Sequence, residues 1–306
     1  MTAITAVRVN RARSSRLAVL AAMGRIEARR FALNPIFLAG AGCTAYILWD
    51  RQRGTVPDVN TVLVYPAIFL GGIGMVAAFW LTQSMHRSDD TLGVAPMSLP
   101  ERTAAICLAT VVPLLCGCLS LLAIEAFQQV PGPWSYGALG TSGEAAVALS
   151  QVVVPALGGP LLGVALARWI RFPGAAAVLL LMAWGWVTLL YTVTATLATS
   201  HRNSTLIVML RFFAPFAFFT NEDSPGRVET WRGSPWFFLG WQLCLCAVAV
   251  IVALLRGADP GLRTRLLRLL AGVLVLAGLM YALAVVGGWA YPVISTPGAA
   301  PVPIAG

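Results

Sequence analysis

Lysine is absent from this 306-residue chain; all 21 of its basic residues are arginine. Without lysine no G-x-x-x-x-G-K-[ST] phosphate loop can be written, so the chain carries no P-loop with which to hydrolyse ATP itself. Histidine is nearly absent. His86 and His201 are the only two, and both fall outside the long apolar runs. A haem or metal site inside a membrane bundle needs histidine facing its interior, so neither is expected. No G-x-S-x-G and no grouping of histidine with an acid points to a hydrolase. Charge is scarce, at 11% of residues where soluble domains carry about 25%.

What is abundant is apolar. Hydrophobic residues make up 58% of the chain and its mean hydropathy is +0.79. Surface area falls too slowly with size for a soluble protein of this length to hide that much apolar surface. A bilayer is the solvent that fits, and each crossing helix needs roughly 20 mostly apolar residues. The apolar runs are continuous rather than alternating, which selects an all-α polytopic integral membrane bundle over a β-barrel.

The net charge of +9 does not indicate nucleic acid, because the arginines cluster beside the apolar runs and no soluble fold is left to present a basic face. They read as topology signals and lipid-headgroup contacts. The six cysteines (Cys43, Cys107, Cys116, Cys118, Cys244 and Cys246) all lie in apolar stretches. Two residues apart on a helix is about 200°, so neither Cys-x-Cys pair converges on a metal, and buried free thiols are expected.

Residues 1–30 hold seven arginines. The apolar run Leu17–Met23 is short and is followed at once by Arg25, Glu27, Arg29 and Arg30, which argues against a cleaved signal peptide. Leu17, Leu20, Ala21, Gly24, Ala28 and Phe31 share one helical face with Arg25 and Arg29 off it, as in a helix lying in the membrane interface. Residues 31–289 form the predicted transmembrane domain, with spans at 31–49, 61–82, 103–127, 145–167, 172–199, 235–255 and 266–289. Gly158-Gly159-Pro160 predicts a kink in the fourth span, and Gly159-x-x-x-Gly163 is a candidate close-packing face. Residues 206–219 are apolar and aromatic but short, with Arg211 and Pro215 inside, and read as an outer interfacial or re-entrant element. If that segment spans, the topology after it inverts. Residues 290–306 form a Pro/Gly-rich tail.

With the N-terminus inside, fifteen arginines fall on inner segments and six on outer ones, so the positive-inside rule predicts a cytoplasmic N-terminus in the cytoplasmic (inner) membrane and an extracytoplasmic C-terminal tail. Glu125, in the last turn of the third span, could bind a cation or simply reach water. The inner loop from Gln83 to Thr103 mixes Arg87, Asp89, Asp90, Glu101 and Arg102 with Thr91, Leu92, Pro96, Met97 and Ser98. It reads either as a solvated loop or as a docking surface for a cytoplasmic partner. In the fifth span Thr188, Thr192, Thr196 and Thr199 share a face, with Trp184 and Tyr191 nearby. That face suits a translocation path, although threonine also bonds to its own helix at i−4.

Four stretches carry a family resemblance in order: Gly24-Arg25-Ile26-Glu27-Ala28-Arg29-Arg30-Phe31 with Asn34-Pro35; Arg87-Ser88-Asp89-Asp90-Thr91-Leu92 with Ala95-Pro96-Met97-Ser98 and Arg102-Thr103-Ala104; Gly163-Val164-Ala165-Leu166-Ala167-Arg168-Trp169; and Arg211-Phe212-Phe213-Ala214-Pro215. Over about residues 24–256 the chain resembles the membrane subunit of ABC-2 type transporters, particularly actinobacterial efflux permeases. The resemblance implies that the inner loop is a coupling helix set into a separate ATP-binding subunit. It also implies paired permease chains, identical or different, with spans two and five lining the path. Cofactors would then be none on this chain, with ATP and Mg on the partner. A seventh span exceeds the family's usual six, and Gly93 stands where the family often has a helix-favouring residue. The function so implied is export of a hydrophobic or amphipathic compound, with no enzymatic step on this chain. The alternatives are a membrane-embedded enzyme acting on lipid and a non-transporting structural or sensory subunit.

Overall fold

The computed structural model describes residues 18–52, 59–89, 98–127, 139–170, 172, 174–200, 205–214, 219–224, 227–288, 293–295 and 302–303. They form an all-α polytopic bundle with a small sheet at one end. Five helical stretches are long and apolar enough to cross a membrane: Leu63–Ser84, Leu99–Ala126, Gly140–Trp169, Pro235–Leu255 and Pro260–Val286. A sixth arises if the bent pair α1 (Ala18–Ala32) and α2 (Pro35–Gln52) counts as one. Helix α9 (Ala175–Ser200) adds 26 residues, about 39 Å of helix at 1.5 Å per residue.

Proline sets most of the joints. Pro35 opens α2, and Asn34 caps it through Oδ1, which accepts from the Ile36 N–H at 2.9 Å. The two helices meet at 62°. The predicted interfacial face packs inward: Phe31 is fully buried, Ala28 packs on the core and Gly24 lies against Leu108, whereas Arg25 and Arg29 are exposed. Glu27 is buried and accepts from Arg30 at 3.2 Å.

The second crossing runs through α3 (Val59–Pro66), a π-helical stretch Ala67–Ile73 and α4 (Gly74–Asp89). The third joins α5 (Leu99–Ala109) to α6 (Val111–Phe127). Pro113 lacks the N–H that would donate to the Ala109 carbonyl, which interrupts the helix there; the Thr110 hydroxyl donates to the Cys107 carbonyl at 2.6 Å. The fourth runs from α7 (Gly140–Ala148) through a π-helical turn, Leu149–Val153, into α8 (Val154–Trp169). Helix α8 continues through Gly158-Gly159-Pro160, and the irregular turn lies earlier. After α9 come the short α10 (Thr205–Phe212), then α11 (Pro235–Leu255) and α12 (Pro260–Val286). At eight residues, about 12 Å, α10 is too short to cross a membrane.

Helix α8 is the centre of the bundle. It runs parallel to α4 on one side and to α11 on the other, with α6 and α5 against it. The contact of α8 with the second crossing, through its π-helical stretch and α4, is backbone on backbone. A Cβ on Gly159 would strike the Gly71 backbone, and one on Gly163 the backbone of Met75. The small-xxx-small pair therefore does what such pairs do in lipid, where close van der Waals contact replaces the hydrophobic drive between helices. Hydroxyls at membrane depth turn onto their own helices: Thr44 to Gly40, Thr82 to Ala78 and Ser120 to Cys116. Helices α9 and α12 lie outside, with α9 on α4 through Phe79, Ala175 and Ala176.

Successive crossings alternate in direction, so the joints gather at two ends. One carries the 83–103 loop. The other carries an antiparallel sheet that the hydropathy pattern does not predict. Its strands β1 (Thr220–Ser224), β2 (Arg227–Thr230), β3 (Val293–Ser295) and β4 (Val302–Pro303) lie in that order. Two strands thus fall within the stretch expected to be a tail. Val228 pairs with Ser295 and Thr230 with Val293, which fastens the chain's last residues to the α10–α11 connection.

Candidate functional site

The predicted coupling loop lies between α4 and α5. Arg87 and Asp89 occupy the last turn of α4, whereas Asp90, Thr91, Leu92, Pro96 and Met97 lie outside the described residues. Ser98 is the N-cap of α5. Glu101 Oε2 accepts from both the Ser98 N–H and its hydroxyl, each at 2.9 Å, and the Arg102 N–H returns to the Ser98 carbonyl. Glu101 therefore closes the helix start.

Both anchors are tied to the centre of the bundle. Gln83 Nε2 donates to the Ile170 carbonyl just beyond α8, at 3.3 Å. Leu99 packs over Gly257 at the end of α11. Arg168, the largest fully buried side chain, donates through Nη2 to the Arg256 carbonyl at 2.5 Å. Trp169 Nε1 donates to the Val252 carbonyl at 3.0 Å, and the Arg256 guanidinium stands 6.0 Å from the Trp169 ring. Both flanks of the loop are thus in contact with the ends of α8 and α11. Arg168 is a residue that hydropathy alone assigns only to topology; its burial shows that it also closes the end of α11.

Farther into the bundle lies a feature the sequence reading does not single out. The Val154 N–H donates to Leu149, five residues back, and so bypasses the Ser150 carbonyl. The next residue, Pro155, has no N–H to offer. The Ser150 carbonyl, in a fully buried residue, is left without a main-chain donor, and Gln242 Nε2 of α11 donates to it at 3.0 Å. The Ser150 hydroxyl turns to Val147 at 2.8 Å. The second π-helical stretch follows Pro66 and packs against the first. π-Turns widen a helix locally and often mark functional positions. Pro66 and Pro155 are the signals in the sequence that locate both.

Of the predicted path residues, Trp184 and Thr188 lie on the outer side of α9, exposed on the single chain. Tyr191, Thr192 and Thr196 are on the same helix, with side chains outside those described. On a neighbouring flank of α9, Val187 packs against Val64 of α3 and Ala67 of the π-helical stretch. The bundle of one chain does not enclose Trp184 and Thr188; they face lipid or another chain.

At the sheet end, Arg211 of α10 is buried among aromatic rings, its guanidinium 4.9 Å from Phe212, 5.6 Å from Phe219 and 5.0 Å from Trp231. It donates to the Arg232 carbonyl. Burial pulls its pKa down to about 9, and the nearby Glu229 opposes that shift, so it remains a cation at neutral pH. The Tyr281 hydroxyl donates to the Met209 carbonyl at 2.7 Å, and the Ser234 N–H to the Ala284 carbonyl at 2.9 Å. These contacts clasp α10, the sheet and the tops of α11 and α12 into one cap.

Comparison of the chain with known protein families, with characterised proteins and with solved structures finds no match.

Proposed function

We propose that this chain is the membrane-spanning permease subunit of an exporter of the ABC-2 type, driven by ATP hydrolysis on a separate subunit. The observation that carries the reading is the tied loop end. The 83–103 loop is held by Gln83 on one side and by the Ser98–Glu101 box on the other, and both sides touch the central helices α8 and α11. A partner that binds ATP and Mg and docks on this loop would have a direct mechanical route to the bundle. The chain has no P-loop, so ATP-driven transport would need such a partner. The arginine bias puts the loop end in the cytoplasm of a cell bounded by this membrane, with the N-terminus on the same side. The outer side of α9 suits contact with a second permease chain, and a path between two chains would be lined by Trp184, Thr188, Tyr191, Thr192 and Thr196. The cargo would be hydrophobic or amphipathic. ATP binding on the partner shifts the populations of inward- and outward-open states without chemistry on this chain.

The reading is tested by reversing Asp89 and Asp90 to arginine. Expected is loss of substrate-stimulated ATP hydrolysis with an unchanged membrane fold, since both residues lie at or beyond the end of α4. Coupling at the wild-type level in the reversed protein refutes the docking role.

A further inference from the structure

Helix α12 is the least enclosed of the crossing helices, with 17% of its most apolar window buried. Of its buried residues, Leu266, Ala277 and Ala284 lie on one side, and Val285 lies on the adjoining flank. Advancing about 100° per residue, Arg265, Arg268, Gly272, Val275, Leu279 and Val286 fall on the opposite side. All six are exposed; with the exposed Ala282 between Leu279 and Val286 they follow the alternating three- and four-residue steps of a single stripe. The stripe is not uniform. Two guanidinium groups head it, one turn apart, and every residue below them is apolar or glycine. From Arg268 to Val286 the helix rises about 27 Å, close to the roughly 30 Å of a hydrocarbon core. The arginine pair therefore stands at the headgroup layer while the rest of the stripe lies against acyl chains.

Charge on this segment has no internal counterpart. Between Arg256 and Leu270 the only acid is Asp259, whose carboxylate caps α12 by accepting from the Leu262 N–H at 3.3 Å. Among the described residues neither Arg265 nor Arg268 forms an ion pair. Gly272, one turn below Arg268, leaves a notch: nothing lies within 4 Å of where its Cβ would stand.

We propose that this stripe seats an anionic phospholipid, with its phosphate between Arg265 and Arg268 and an acyl chain passing the Gly272 notch toward Val275 and Leu279. Two planar guanidinium groups match the phosphate oxygens by charge-assisted hydrogen bonds. The apolar stripe requires tails, which distinguishes this occupant from free phosphate and from a soluble acidic protein. The site is independent of the transported compound.

The test is native mass spectrometry of the full chain released from detergent after incubation with phosphatidylglycerol or with phosphatidylcholine. The wild-type protein retains phosphatidylglycerol in preference to phosphatidylcholine, and soluble glycerol phosphate does not displace it. Arg265→Gln with Arg268→Gln weakens retention of phosphatidylglycerol at least about tenfold, the equivalent of one charge-assisted contact. Gly272→Phe, which fills the notch, weakens it while leaving both arginines in place. Arg263→Gln removes the same charge from the same turn but off the stripe, and leaves retention unchanged. Equal loss in the Arg263 variant would show general attraction to a basic surface and overturn the site. So would equal retention of the two lipids by the wild type, full displacement by glycerol phosphate, or undiminished retention in the double variant. The substituted arginines are exposed, and an unchanged melting temperature in phosphatidylcholine alone confirms that the fold is intact.

Discussion

Replacing Gln242 with leucine removes the one side chain seen to donate to the Ser150 carbonyl. That carbonyl is deprived of main-chain donors for a covalent reason: Val154 donates to Leu149 and Pro155 has no N–H. Leaving a buried acceptor unmet costs about 1–3 kcal/mol in water-soluble proteins. Helix–helix hydrogen bonds in membranes have measured nearer 0.6 kcal/mol on average, with a maximum of about 1.7. We therefore expect Gln242→Leu to cost about 1 kcal/mol, with leucine's good fit to an apolar surrounding already included. The structure makes a sharper statement about where that cost comes from. Pro155→Ala restores a backbone N–H one turn below, so the helix can supply its own donor and the role of Gln242 shrinks. In the Pro155→Ala background, Gln242→Leu should cost less than half as much, a coupling of about 0.5–1 kcal/mol between two residues on different helices. The assay is reversible unfolding in mixed micelles for the four proteins of the cycle. Equal costs of Gln242→Leu in the two backgrounds would refute the reasoning, because the glutamine would then be stabilising something other than the carbonyl that Pro155 strands.

Three further outcomes follow from the packing. Gly159→Leu should prevent the contact of α8 with the π-helical stretch Ala67–Ile73 and abolish recovery of folded protein, whereas Gly272→Ala, on an open helix face, should be neutral or stabilise by up to about 1 kcal/mol; yield and melting temperature in detergent separate the two. Arg211→Ala should loosen the cap by about 2–4 kcal/mol, the loss of one charged hydrogen bond and of its aromatic contacts, and should raise hydrogen exchange in β1–β3 while α4 and α8 stay protected. Burial lowers the Arg211 pKa only to about 9, so the side chain stays predominantly cationic between pH 6 and 8 and that protection should not change over this range.

The bundle itself was legible because apolar runs of membrane length admit little but helix. The predicted crossings at 61–82, 103–127, 145–167, 235–255 and 266–289 each coincide with an apolar helical stretch of the structure. The glycine pair at 159 and 163 was also visible, through a spacing with a mechanical meaning, whereas the capping box at Ser98 and Glu101 emerges only from the structure. The sheet was not. Its strands are two to five residues long, and β3 and β4 sit among prolines and glycines, so no alternation accumulates; their pairing partners lie some 65 residues away. The Gln242 contact was hidden for a related reason. Pro155 announces a stranded carbonyl, but nothing in the sequence says that a helix 90 residues later will meet it. Thr188 shows the limit of a one-helix argument. A polar face on α9 can be read from spacing alone, yet whether it turns toward this bundle or toward another chain depends on what else packs there, and in the single chain it is exposed.

The most direct measurement on the central proposal is purification of the tagged full-length chain from its native membrane in a mild detergent, with identification of what comes with it and assay of nucleotide hydrolysis. The account predicts a second chain carrying a P-loop, held in a complex that hydrolyses ATP and lost when Asp89 and Asp90 are reversed to arginine. A chain that purifies intact with no ATP-hydrolysing partner, or a complex in which a partner ATPase crosslinks everywhere but to the loop between α4 and α5, would contradict it.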